Sequence, residues 1–155
     1  MKVELRKNYV LVVSPHLTYL CGLFSGTPQK ARAAALFPFI IFRSKEEVVP
    51  WIVNHERIHF KQQVETLFIG SIILAVLETL YACLVLKMSF ADAYKWRSSE
   101  QEAYRNQQDQ KHLEARSLWA QLKYLKDKKI FVFGSPGEII FTNTANSSAS
   151  SRKNG

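Results

Sequence analysis

The spacing of apolar and polar positions divides the chain into three stretches. Near the N-terminus, Tyr9-Val10-Leu11-Val12-Val13 is rich in β-branched residues and stops at Pro15, so residues 3–13 are predicted to form a strand. Residues 16–35 carry Gly22, Gly26 and Pro28 and read as loop or short helix. Residues 36–43, LFPFIIFR, read as a second strand, which Pro38 confines to an edge or to limited pairing on one side.

The middle of the chain has helical periodicity. Ser44 followed by Glu47 matches a capping box, and Pro50 suits the first turn of a helix that runs from Trp51 to about Ile69. Gly70-Ser71 is the expected bend, and a second helix covers about 72–87. Ser89 with Asp92 caps a polar helix expected over 90–125. Residues 130–133 and 138–142 flank Gly134-Ser135-Pro136-Gly137 and read as a hairpin. These elements predict an α+β fold, mainly helical, with an N-terminal strand pair. Residues 1–142 form one domain, and the Asn/Ser-rich residues 143–155 form a disordered tail.

Thr66 to Leu86 alters this picture. The segment TLFIGSIILAVLETLYACLVL contains one charge, Glu78, and as a helix would measure about 30 Å, the thickness of a bilayer core. Lys61 and Lys87 flank it. Contact with a membrane through 66–86, and hence a membrane-associated protein, is the expectation. A buried core helix of a cytoplasmic protein is the alternative. Basic residues on both sides give no orientation. Lys2, Arg6 and Lys7 could begin a signal peptide, but Ser14-Pro15-His16 interrupts the apolar stretch that follows.

With 155 residues and 47% apolar content, the chain can build a core. Two cysteines exclude a disulfide framework and a Cys-rich metal site. The net charge of +8 fits an anionic surface, but the basic residues are scattered and match no nucleic-acid-binding module, so no nucleic-acid partner is expected.

The candidate chemistry lies at His55-Glu56-Arg57-Ile58-His59, an HExxH sequence inside a predicted helix. Residues four apart share a helix face, so two imidazoles can reach one zinc ion, at about 2.0–2.1 Å each. Glu56, beside His55, can take a proton from a water on that metal as general base. Two solvated surface histidines are the plainer alternative. A catalytic zinc takes a third protein ligand. His16, His112 and the carboxylates downstream of the apolar run are the candidates. Glu100 and Glu102 stand about 200° apart on a helix, so only one of them can join the histidines.

NHERIH, a hydrophobic stretch and then Ser99-Glu100-Gln101-Glu102-Ala103-Tyr104 resemble the gluzincin metallopeptidases over about residues 37–107. The likeness is greatest to the compact minigluzincins, the membrane gluzincins and small bacterial proteins that carry NHERIH and Glu-x-Glu-Ala-Tyr. The resemblance implies an HExxH helix packed on a downstream Glu-bearing helix. It implies Glu100 as third ligand, zinc as cofactor, and peptides or proteins as substrates. It further implies that substrate lies extended along a strand beside the HExxH helix, here 36–43. Tyr104 stands where the family often has an Asp that supports a ligand histidine. The competing expectation is a non-catalytic, membrane-associated protein with a structural or vestigial metal site.

One metric constraint follows. If 66–86 crossed a bilayer as one straight helix, His59 and Glu100 would lie on opposite sides, at least about 30 Å apart. A shared metal therefore requires the chain to turn back.

Overall fold

The computed structural model describes residues 1–25, 28–128, 130–133 and 139–142. The fold is α+β. Strands β1 (Lys2–Leu5), β2 (Val10–Val13), β3 (Ala33–Leu36) and β4 (Phe39–Phe42) form one sheet in the order β1-β2-β4-β3. The β2/β4 pair is parallel and the other two pairs are antiparallel. Helix α1 (Pro15–Gly22) follows β2, with Ser14 accepting from the Leu17 N–H at its N-cap.

The N-terminal strand expected over 3–13 is thus a hairpin, broken at residues 6–9. The second expected strand also differs. β4 covers only Phe39–Phe42 and is paired on both sides, so 36–43 is not an edge. Its stretch Phe39-Ile40-Ile41-Phe42 is apolar at every position, as an internal strand covered on two faces requires. Pro38 sits in the turn between β3 and β4, where its missing N–H removes no ladder bond. The edges are β1 and β3, and β3, the one beside α2, lies in the segment read as loop or short helix. Its Ala33-Ala34-Ala35 lacks the β-branched residues that mark a strand.

Helix α2 (Pro50–Glu65) packs across the sheet. Ile52 joins Leu11, Ile40 and Phe42 in the buried core, with Tyr9, Trp51 and Phe60 against them. Pro50 opens the helix as expected, but Val49 is the N-cap and makes no side-chain cap, so Ser44-Glu47 does not start it.

The apolar run contains helix α3 (Ile69–Leu84), inclined 108° to α2. The corner falls at Leu67 and Phe68, both with positive φ, and not at Gly70-Ser71. Thr66 Oγ1, bonded to the Gln62 carbonyl and to Ser71 Oγ, ties the two sides of the corner. No single helix among the described residues is long and apolar enough to cross a membrane.

The long polar helix expected over 90–125 is several pieces. They are α4 (Phe90–Trp96), α5 (Ser98–Asn106), α6 (His112–Ala115) and a 3-10 turn at Ala120–Leu125. Ser89 caps α4 by accepting the Asp92 N–H at 3.2 Å. Arg97, extended at ψ 142°, breaks the helix before Ser98 and redirects α5 against α2. β5 (Ile130–Phe133) and β6 (Ile139–Thr142) pair antiparallel, as the hairpin reading expects. Their intended turn at 134–137 and the expected tail at 143–155 lie outside the described residues.

Candidate metal centre

His55 and His59 stand one turn apart on α2 and direct their rings toward α5. Nε2 of His59 lies 3.1 Å from Nε2 of His55 and 3.3 Å from Oε1 of Glu100. Nε2 of His55 lies 3.7 Å from Oε2 of Glu100. The three ligand atoms fall within 4.8 Å of one another, and the group is largely buried. A tetrahedral ion with ligands at about 2.0–2.1 Å separates its ligand atoms by about 3.3 Å. The two imidazole nitrogens and the nearer Glu100 oxygen are close to that spacing, and a small shift of the Glu100 carboxylate would bring one oxygen to both rings.

The hydrogen bonds around the site explain why these atoms face inward. Nδ1 of His55 pairs with Oε1 of Gln107 at 3.1 Å, and Nδ1 of His59 with Oε1 of Gln62 at 2.9 Å. A side-chain carbonyl accepts only from an N–H, so each ring carries its proton on Nδ1 and offers a lone pair at Nε2. Two such lone pairs then meet a carboxylate, and Oε2 of Glu100 accepts no hydrogen bond among the described residues. Acceptors gathered this closely need a cation or a proton between them. In the metal-free chain His59 takes that proton. Burial disfavours its charge, but the adjacent Glu100 overrides burial and raises its pKa to about 9. Burial likewise opposes ionisation of Glu100, and the two histidines hold it far below the ordinary carboxylate range. The donor set therefore fits a divalent metal ion.

Helix α5 is fastened at both ends, which fixes Glu100. At its N-terminus the Ser98 N–H donates to Oε2 of Glu78 at 2.6 Å. At its C-terminus the Asn54 side-chain amide reaches the carbonyls of Asn106, Gln107 and Asp109, at 3.1, 3.1 and 2.9 Å. Glu78, the lone charge of the apolar run, thus points inward and caps the helix that carries Glu100. Its other oxygen pairs with Lys128.

Glu102 takes the opposite side of α5. It is fully buried and accepts from Arg116, from Gln62 Nε2 at 2.9 Å and from His112 Nε2 at 3.2 Å. Burial favours its neutral form, but these donors keep the carboxyl below its ordinary value. Gln62 therefore links Glu102 to His59. Of the other two candidate ligands, His112 is occupied with Glu102, and exposed His16 on α1 stands apart from the cluster.

Glu56 is buried beside the ligands and outside their group. Burial raises its pKa, and the nearby histidines only partly offset this. The Ala35 backbone N–H on β3 stabilises its ionised form. Tyr104 stacks edge-on against the His55 ring at 4.7 Å between centroids. Tyr94, on α4, directs its hydroxyl at Glu100, and burial together with that carboxylate keeps its phenol neutral.

The sequence reading did not single out Asn54, Gln62, Gln107, Tyr94 or Ala35. Gln62 could have been found, because it lies three residues after His59 on the same helix face. The others are brought to the site by tertiary packing. Comparisons with family models, curated proteins and solved structures find no match to this chain.

Proposed function

We propose that the protein is a zinc-dependent metallopeptidase, with His55, His59 and Glu100 holding the ion and Glu56 acting as general base. The observation that carries this reading is the convergence of two Nε2 lone pairs and a carboxylate within 4.8 Å of one another. Two nitrogens and one oxygen suit zinc and leave a position for water. Zinc bound there supplies Lewis acidity, polarising a water and the substrate carbonyl.

The chain's own residues would do the rest. Glu56, its basicity raised by burial, accepts the proton of the attacking water and returns it to the leaving amine. The neutral Tyr94 hydroxyl holds Glu100 in place. Gln62 and Gln107 fix the ring orientation of the histidines.

Substrate would lie along β3, the free edge beside α2. The Gln63 side-chain amide occupies that edge. Its Nε2 donates to the Ala35 carbonyl and its Oε1 accepts from the Phe37 N–H, each at 2.9 Å. A backbone amide of an added strand makes the same two bonds, so an extended peptide would displace Gln63. Glu56, reached by the Ala35 N–H, would then stand next to the bound peptide.

The test compares the purified wild-type chain with Glu56→Gln. Equal zinc in both, with cleavage of a peptide mixture by the wild type alone, establishes the enzyme. Zinc retained by a wild type that cleaves nothing assigns the metal a structural role. Loss of zinc in Glu56→Gln, or full zinc in His59→Ala, overturns the site.

A further inference from the structure

We propose that α3 is an in-plane membrane anchor that seats the protein on an anionic bilayer without crossing it. This inference does not depend on turnover at the metal centre.

The width of the exposed face carries the argument. Leu67, Ile69, Ile73, Leu77, Leu80 and Leu84 are between 50% and 83% exposed, and Ile72, Val76, Tyr81 and Val85 are exposed between them. At about 100° per residue, the exposed positions of α3, from Ile69 to Leu84, cover an arc of about 180°. A docking helix or groove covers a stripe of about 100°. A face half the cylinder wide exceeds that stripe, and lipid acyl chains cover the whole of it. The patch also far exceeds scattered surface leucines, which are ordinary.

The remaining sector of α3 fixes the depth of insertion. Glu78, Thr79 and Ala82 are buried against the protein. Glu78 holds Ser98 and Lys128, and Thr79 accepts from Arg97 at 2.8 Å. A helix pinned along one side to polar partners cannot pass through hydrocarbon as a span, because those partners would enter with it. Its 16 residues also measure about 24 Å, short of a bilayer core. The 108° corner before α3 keeps α2 from continuing its line.

Charge chooses the lipid. The exposed arc holds no acidic residue, and exposed Lys87 follows it directly. Leu125 lines a groove with Leu77, Tyr81 and Trp96, and Lys128, paired with Glu78, lies over the Trp96 ring there. Tyr81 and Trp96 stack there at 6.0 Å, as aromatic residues do at the headgroup level.

The experiment sediments the full chain with phosphatidylcholine vesicles, with and without phosphatidylserine. Binding is expected, stronger with phosphatidylserine and weakened by salt. The variant Ile73→Glu/Leu80→Glu should bind at least about tenfold more weakly. Its far-UV circular dichroism and metal content should equal those of the wild type, since neither side chain packs inside. A second arm labels Lys61→Cys and Lys95→Cys, with Cys21 and Cys83 replaced by serine, on vesicle-bound protein. Both sites are expected to react from the outside. No vesicle binding by the wild type, unchanged binding by the folded double variant, or opposite accessibility of positions 61 and 95 overturns the proposal. So does a wild type that ignores vesicles but forms a dimer lost in the double variant, which would make a second copy the occupant.

Discussion

Oε1 of Gln107 lies 3.1 Å from Nδ1 of His55, although 52 residues separate the two in sequence. This contact fixes which nitrogen of His55 faces the metal centre. Tyr104, at the position where the gluzincin resemblance would place a supporting Asp, stacks on His55 instead. Neutral amides from Gln107 and Gln62 hold the two rings.

Removing either amide should weaken metal binding without destroying the site. Gln107→Leu and Gln62→Leu are each expected to lower zinc affinity by about 10–100-fold, as loss of a ligand's outer partner typically does. Competition with a chromophoric chelator measures it. Gln62→Leu should be the costlier to stability, because Gln62 also donates to buried Glu102. Unchanged affinity in both variants would mean that ring orientation is set by packing alone.

The edge of β3 gives a pair of opposite expectations. Gln63→Ala vacates the Ala35 carbonyl and the Phe37 N–H, so KM for an extended peptide should fall. Ala35→Pro removes the N–H that faces Glu56 and blocks strand addition, so KM should rise and kcat fall. Zinc content should stay constant in both. If the two substitutions shift KM in the same direction, substrate does not follow β3.

Arg116 bridges Glu102 and Glu65 with its side chain fully buried. Arg116→Met leaves two carboxylates without their shared cation. A loss of about 3–5 kcal/mol in chemical denaturation is expected. Lowering the pH should return part of that loss, because protonated Glu102 no longer needs a cation.

Metal binding should release the proton that His59 holds in the metal-free chain. The folded value of about 9 exceeds the unfolded value of about 6.5. The His59–Glu100 ion pair therefore stabilises the metal-free protein fully below about pH 6.5, and that contribution is lost as pH rises through about 9. Zinc titrated calorimetrically at pH 7.5, in buffers of different ionisation enthalpy, should displace about one proton per ion from His59. Thermal scans should show the metal-free form losing stability between pH 6.5 and 9, while the loaded form does not. A metal-free protein equally stable across that range would show that His59 carries no extra proton.

The histidine pair of the candidate metal centre was legible in the sequence because its parts are local. HExxH sets two imidazoles and a carboxylate by helix geometry alone, and the 3.6-residue period needs no tertiary information. The α+β class, Pro50 at a first turn, the Ser89 cap and the 130–142 strand pair follow from the same short-range rules. Glu100 was reached by resemblance, and the periodicity of its helix allowed only one of Glu100 and Glu102 at the site.

What the tertiary structure decided is everything that depends on partners distant in sequence. The edge beside α2 went to β3, whose alanines carry no strand signal, and β4 became internal because β2 and β3 both pair with it. The polar stretch broke at Arg97, because Glu78 offered Ser98 an N-terminal cap and Asn54 claimed the far end of the same helix. Glu102 and Glu100 look alike in sequence. They separate only when Arg116 and Gln62 meet one carboxylate and two imidazoles meet the other. Hydropathy likewise described 66–86 as one apolar run. The corner at Leu67-Phe68 and the inward tie of Glu78 divide it into a pinned side and an exposed face. Local propensity sets which elements exist. Desolvation of charged groups decides how they close on one another, since each buried carboxylate must find its donors before the chain can pack.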